Sequence, residues 1–201
     1  MVERKNDMNT THFDEWAPGY ETSAVQKLFF DPIHRKMISL LTRSAIGSPS
    51  TILDVGCGTG RLLRAISKIW PDAQLTGVDL SEPMITIARK LAPLYRFHIS
   101  PAEKLPLQDQ SYDLVVSSLT LHHWNDAAMG IKEIVRVLKP GGVFCIADHL
   151  GPKWAMRFFE SGAKSNHELD AIFKNNGLET VARSWFWGWV GIRLAKQLTQ
   201  G

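Results

Sequence analysis

Asp54, Gly56, Gly58 and Gly60 are the residues whose types and spacing point most directly to chemistry. The three glycines alternate just after the apolar run Thr51-Ile52-Leu53-Asp54-Val55. Without a Cβ the backbone there can take positive φ and bring bare amides close to a ligand. A dinucleotide fingerprint would read G-x-G-x-x-G, but Gly60 comes one place early and Arg61 stands where that fingerprint wants glycine. Asp54 adds a negative charge that would repel a pyrophosphate and suits an ammonium or sulfonium. The pattern therefore points to a cationic, amino-acid-bearing nucleoside. Asp79, 19 residues beyond Gly60, ends the next apolar run. A carboxylate there offers two adjacent acceptors to the two hydroxyls of a ribose. Capping the following helix is its competing role, but Ser81 already stands as N-cap with Pro83 in the first turn.

A second constellation could move a proton. His122 follows the apolar run Tyr112 to Ser118, and Asp148 and His149 follow the run Val143 to Ala147. Neighbouring strands lie about 4.8 Å apart, so side chains just past their ends are within reach of each other. His122 is then the candidate general base and Asp148 its orienter, an arrangement that contributes roughly 10²- to 10⁴-fold to a reaction needing deprotonation. The competing reading makes His122-His123-Trp124 a turn that caps the next helix. Seven histidines and two cysteines show no zinc-ligand spacing, so no metal site is expected, and no G-x-S-x-G elbow argues for a hydrolase.

These residues need a scaffold that brings strand ends to one edge. Val25, Leu28 and Phe29, then Ile33, Met37, Leu40 and Leu41, recur at helical spacing, and Asp31-Pro32 predicts a break between two helices. Leu62, Leu63, Ile66 and Ile69 predict a helix from Arg61 to Trp70, stopped by Pro71. Strands follow at Gln74 to Leu80, Tyr95 to Ser100 and Tyr112 to Ser118, the last apolar enough to be buried on both faces. Met84, Ile87, Ala88 and Leu91 mark one helix between strands. Asp126 caps another with Ile131, Ile134, Val135 and Leu138 inward, closed by Lys139-Pro140-Gly141-Gly142 before a strand over Val143 to Ala147. A helix capped by Ser165-Asn166 and stopped at Gly177 precedes two strands, Leu178 to Trp187 and Trp189 to Ala195, joined at Gly188. The aromatics of Arg183 to Trp189 read as a packed hairpin or as a lipid or aromatic-substrate wall. Strand and helix alternate, so the expected fold is α/β: a doubly wound, mostly parallel seven-stranded sheet with one antiparallel strand from the closing hairpin at the edge.

Leu53-Asp54-Val55-Gly56-Cys57-Gly58-Thr59-Gly60 resembles the first motif of class I S-adenosylmethionine-dependent methyltransferases, and Val137-Leu138-Lys139-Pro140-Gly141-Gly142 resembles a further element of that family. The likeness spans about residues 12 to 196 and is nearest to small-molecule members of the ubiquinone/menaquinone C-methyltransferase group. It implies S-adenosylmethionine as cofactor, held by Tyr20, Asp54, Gly56, Cys57, Gly58, Gly60, Asp79, Leu80, Met84, Ala102, Glu103 and Ser117. Tyr20 would close over the cofactor from an amino-terminal arm, His12 to Tyr20, whose competing role is packing on the sheet. The family's third motif, commonly Asp-Ala-Glu-x-Leu-Pro, is Pro101-Ala102-Glu103-Lys104-Leu105-Pro106 here. Proline removes the acidic contact to the adenine edge; Glu103 either replaces it or faces solvent. Several small-molecule members carry a histidine at the place of His122.

Length and composition bound the rest. At 201 residues one domain is expected, residues 12–201, with 1–11 a disordered tail and 12–47 a lid and helices. The 44% hydrophobic and 21% charged content fits a folded globular chain rather than a disordered one. A net charge of +3 gives no ground for a nucleic-acid partner, and Asn-Pro-Pro-aromatic, the mark of methyltransferases acting on amino groups of bases, is absent. No apolar run nears the ~20 residues of a membrane span. Cys57 and Cys145 read as packed thiols, which implies a reducing cytoplasm. The expected partner is a small-molecule methyl acceptor. About fifteen residues separate the fifth strand from the last helix, so the pocket is open, closed by the arm, or shared in a homodimer. Two other functions compete: a catalytically silent cofactor-binding module, and a nicotinamide-dependent oxidoreductase, which Arg61 and Asp54 disfavour.

Overall fold

The computed structural model describes residues 21, 23–44, 46–150 and 163–198. Tyr20 and the rest of the expected arm, the tail 1–11, and Trp154, Phe158 and Phe159 lie outside the described residues. Seven strands form one sheet: β1 (Thr51–Val55), β2 (Gln74–Asp79), β3 (Arg96–Ile99), β4 (Tyr112–Ser118), β5 (Leu138–His149), β6 (Leu178–Phe186) and β7 (Val190–Gln197). Their order is β3-β2-β1-β4-β5-β7-β6. β1 to β5 run parallel, and β7 is antiparallel to both β5 and β6. The closing hairpin thus supplies the reversed strand, as expected, with β7 one place inside the edge strand β6.

Among the described residues five α-helices cover the two faces: α1 (Asp31–Arg43), α2 (Arg61–Ile66), α3 (Glu82–Leu91), α4 (Ala127–Val137) and α5 (Asn166–Asn175). Ile33, Met37, Leu63, Ile66 and Ile85 of the first three pack with Ile52, Leu114, Val116 and Cys145. Ile131, Ile134, Leu169 and Phe173 of the last two pack with Leu53, Val115, Phe144 and Ile146. Alternate residues of a strand point to opposite faces, so a strand between two helical layers must be apolar on both, and Leu114, Val115 and Val116 are all fully buried.

Three local expectations are corrected. Asp31-Pro32 does not break the amino-terminal helix. A π-turn over Gln26–Phe30 runs straight into α1, and the Asp31 amide donates to the Gln26 carbonyl. The wide turn, with Pro32 in the first positions of α1, absorbs a ring that has no N–H to donate. Helix α2 stops at Ile66 instead of Trp70: the Ser67 hydroxyl bonds the Arg64 carbonyl, and the Ile69 and Trp70 amides both turn back to Ile66. Lys139-Pro140-Gly141-Gly142 does not close α4 ahead of the strand. Leu138, already extended, ends the helix, and the four residues bulge inside β5. Between the pairs Tyr112–Leu138 and Leu114–Val143, four residues of β5 oppose the single residue Asp113 of β4, and Gly141 takes the positive φ of 75° that the bulge needs.

Candidate active site

Parallel strands β1, β2, β4 and β5 all end at one edge, where an open α/β sheet holds its ligands. At the end of β1 the amides of Gly56 and Cys57 both donate to the Val78 carbonyl, at 2.8 and 3.0 Å. Gly56 has φ of 76°, and a Cβ on it would stand 2.4 Å from Cγ2 of Thr120. Only glycine fits between β1 and the exit of β4. The next amide, of Gly58, donates to Asp79 Oδ2 at 2.7 Å, and Asp79 Oδ1 accepts from the Ser81 amide at 2.9 Å. Asp79 therefore joins the glycine turn to the start of α3, while Ser81 caps that helix through Met84 as its sequence predicts.

Asp54 lies beneath this turn and is 2% exposed. Its Oδ1 meets no hydrogen-bond partner among the described residues. Burial, and next the charge of Asp79, push its carboxyl well above the ordinary aspartate range. A buried acid with an unsatisfied oxygen beside a second acid fits a ligand that brings a cation and N–H donors. The ammonium of an S-adenosylmethionine-type cofactor has both properties, and the turn above has the close backbone approach that its amino-acid portion needs.

The other described residues expected at the cofactor follow β1, β2 and β3 in the chain or end β4. Cys57 is buried, and its sulfur occupies the space that a Cβ on Gly77 would need. Gly60 ends the turn at the start of α2. Leu80 is partly exposed just past β2, whereas Met84 is buried inside α3. Ala102 is buried in the core beneath α4, and Pro101 turns the chain by accepting from the Lys104 amide. Glu103 Oε1 accepts from the Asp126 amide at the start of α4, at 3.1 Å. Ser117 is buried, and its hydroxyl meets Thr120 Oγ1 at 2.8 Å.

The second constellation is assembled. His122 Nδ1 lies 2.7 Å from Asp148 Oδ1. The same carboxylate accepts from the Leu121 amide at 2.8 Å and the His149 amide at 2.7 Å. Burial alone would raise the Asp148 carboxyl, but His122 and these donors outweigh it and hold it below the ordinary range. A carboxylate only accepts, so His122 Nδ1 is the donor of this bond. The rings of His123 and His149 lie 4.0 and 5.1 Å from that of His122. Leu119 at φ 57° turns the chain out of β4, and a short 3₁₀ turn over Leu121–His123 presents the histidine. Asp126, bonded to the Ala128 and Met129 amides, caps α4, so His122 does not have that task.

Three features escaped the sequence reading. Thr120 is the side chain against which Gly56 is fitted, and its hydroxyl bonds the Val55 carbonyl at 3.3 Å. Glu21 reaches the glycine turn from the amino-terminal side, and Arg64 joins Arg61 in holding it. The pair of arginines at i and i+3 on one short helix was the available signal. The Trp187-Gly188-Trp189 tip is also more open than a packed hairpin implies. Trp187 is 50% exposed, with Phe29 and Trp189 against its ring. The Leu150 amide donates to the Trp189 carbonyl, so the tip borders the strand end that carries Asp148.

The chain is similar to known proteins in both fold and sequence. Among solved structures, a SAM-dependent methyltransferase from Aquifex aeolicus superposes with a TM-score of 0.71 at 20% identity, over 92% of this chain and 98% of that one. The [4+2]-cyclase SpnF superposes with the same score at 18% identity, over 83% and 81%. The fold is thus that of class I methyltransferases. A family model described as "Methyltransferase domain" matches residues 53–146. An uncharacterized methyltransferase of Bacillus subtilis is 35% identical over 65% of this chain and 72% of its own length. Demethylmenaquinone methyltransferase of Chlorobaculum parvum is 40% identical over 70% of this chain. Malonyl-[acyl-carrier protein] O-methyltransferase of Acetivibrio thermocellus is 35% identical over 73%. The chain belongs to the class I S-adenosylmethionine-dependent methyltransferase family. It spans 59% of the length of the Chlorobaculum parvum relative and 50% of the Acetivibrio thermocellus one.

Proposed function

We propose that the protein transfers a methyl group from S-adenosylmethionine to an oxygen, nitrogen or carbon of a small-molecule acceptor. The observation that carries this reading is the meeting, at one sheet edge, of a glycine turn over the unsatisfied Asp54 and a His122–Asp148 pair 2.7 Å apart. When bound, the cofactor supplies a methyl carbon made electrophilic by a sulfonium. The chain's contribution is alignment, worth on the order of 7 to 11 kcal/mol where reactants are held in line. Asp54 and the turn hold the amino-acid end, and Asp79 and Leu80 face the ribose side. Met84 and Ala102 support the adenine side. Asp148 fixes the ring of His122 through Nδ1, and His122 is the group that takes the acceptor's proton.

An oriented base favours an acceptor with a proton to lose. One relative is named for demethylmenaquinone and another as an O-methyltransferase of malonyl-[acyl-carrier protein], in keeping with a small-molecule acceptor. The partly exposed tryptophans of the hairpin tip support an acceptor with an apolar or aromatic body. The two buried, unpaired thiols support a reducing compartment, and among the described residues no helix is long and apolar enough to cross a membrane.

The test is calorimetry with S-adenosylhomocysteine and with NADH, followed by label transfer from S-adenosylmethionine to a panel of phenols, enols, carboxylates and amines. Binding of the first ligand and turnover of a panel member support the proposal. Binding of NADH alone would overturn it, and tight cofactor binding with no turnover on any acceptor would favour a silent binding module. With an acceptor in hand, His122→Ala is expected to lower kcat by about 10²- to 10⁴-fold with cofactor affinity unchanged. Unchanged turnover would remove His122 from the mechanism.

A further inference from the structure

Glu21 is a half-buried carboxylate to which nothing so far gives a function. Its side chain accepts from the hydroxyl of Thr59, from Arg61 Nη1 at 3.0 Å, and from Arg64 Nη2 at 2.9 Å on each oxygen. Arg61 Nη1 also reaches the Glu21 carbonyl at 3.5 Å. On its other side Arg61 grips Asp31, the first residue of α1, through Nε at 2.6 Å and Nη2 at 2.8 Å. Arg64 donates a second bond, from Nη1 to the Thr59 carbonyl at 2.5 Å. Thr59 is buried between Gly58 and Gly60, and both its hydroxyl and its carbonyl end in this network.

From these contacts we infer that Glu21 is a positioning residue for the cofactor, acting through Thr59 to fix the glycine turn. The inference rests on the cofactor reading given above. Gly58 is pinned by Asp79 from the sheet side, so the turn has one anchor within the sheet and one supplied by a residue 38 positions away. Glycines are the least restrained residues of a chain, and a turn built on three of them loses much freedom when it orders around a ligand. An anchor that orders Thr59 beforehand removes part of that loss from binding. Two arginines confronting two carboxylates need no other charge to balance them, so the network is electrostatically complete and its strength falls with salt.

The probe is S-adenosylhomocysteine, whose ammonium and carboxylate leave it without net charge, so salt acts on the protein's own ion pairs more than on the ligand. Calorimetry compares the wild type with Glu21→Gln, Thr59→Val and Thr59→Ser at low and high salt. Charge-assisted hydrogen bonds of this exposure predict a Kd about tenfold higher for Glu21→Gln, with the salt dependence of the wild type largely gone. Thr59→Val is expected to weaken binding similarly, and Thr59→Ser, which keeps the hydroxyl, to recover most of the affinity. In turnover the KM for S-adenosylmethionine rises while the KM for the acceptor stays. Unchanged affinity in Glu21→Gln, or equal losses in both Thr59 variants, would overturn the inference while leaving the cofactor reading intact. A wild type that does not bind the probe overturns both. If Glu21→Gln does not fold, the Thr59 pair decides alone.

Discussion

Two buried aspartates at the same sheet edge are driven in opposite directions, and this separates their roles. Asp54 is raised by burial and by Asp79, with no donor on Oδ1 to offset either. Asp148 is equally buried at 1% exposed, yet three donors hold it ionised. A carboxyl raised on folding contributes stability that is complete below its unfolded value of about 3.9 and is lost as pH rises through the folded value. Asp54 therefore burdens the ligand-free protein at neutral pH, and Asp54→Asn should raise its Tm at pH 7, with a gain on the order of 1 kcal/mol. The same variant should weaken S-adenosylhomocysteine binding by tenfold or more, since the cation loses its counter-charge. Asp148 has the reverse sign: its contribution is present above the unfolded value and is lost as pH falls through the lowered folded one. Asp148→Asn should cost about 1–3 kcal/mol at neutral pH, because a buried amide donor or an acceptor is then left unmatched. Denaturant titrations of the two variants at pH 7 check both signs, and a loss of stability in Asp54→Asn would contradict the account.

At the scale of elements, α4 and the loop before it show how the frame holds the site. Gly130 sits inside α4, where alanine would ordinarily gain about 1 kcal/mol. Here its Cβ would stand 2.5 Å from the ring of Trp124, two residues after His122. Gly130→Ala is thus expected to be destabilising by roughly 1–3 kcal/mol and to lower kcat by shifting the loop that bears the base. Adding Trp124→Ala should recover the stability but not the rate. Thermal melts and turnover of the single and double variants check this, and a simple stabilisation by Gly130→Ala would show that the ring moves freely. The same scale explains what could be read in advance. The run Tyr112 to Ser118 had to be a strand buried on both faces, and its neighbour had to deliver Asp148 beside His122, because a parallel sheet leaves little choice. The continuity of the helix through Pro32 and the bulge at Gly141 were hidden. A proline reads as a break and a Gly-Gly as a helix stop unless the packing that permits a π-turn or a bulge is known. Glu21 was hidden for a related reason: its partners Thr59, Arg61 and Arg64 meet it through tertiary contacts that no local period encodes.

For the molecule as a whole, the sheet order places β1 and β4 at the centre and brings the glycine turn, Asp79 and the His122 pair to a single edge. Ligand binding at that edge must register on global stability, because it draws on elements from both halves of the sheet. At a hundred times its Kd, S-adenosylhomocysteine should add about 2.7 kcal/mol, which for a chain of this size is a Tm rise of roughly 5–10 °C. NADH should add nothing. The size of the shift also carries the signature of Asp54. The cofactor's ammonium is held best by the ionised carboxylate, while the ligand-free protein favours the protonated one, so binding expels a proton wherever pH lies below the raised value. The thermal shift at fixed ligand concentration should therefore grow as pH is raised from about 5 to 8, and Asp54→Asn should flatten that trend. A series of melts across this range, with and without the ligand, measures both quantities in one protein preparation. A shift that stays constant with pH in the wild type would place the ammonium elsewhere than over Asp54.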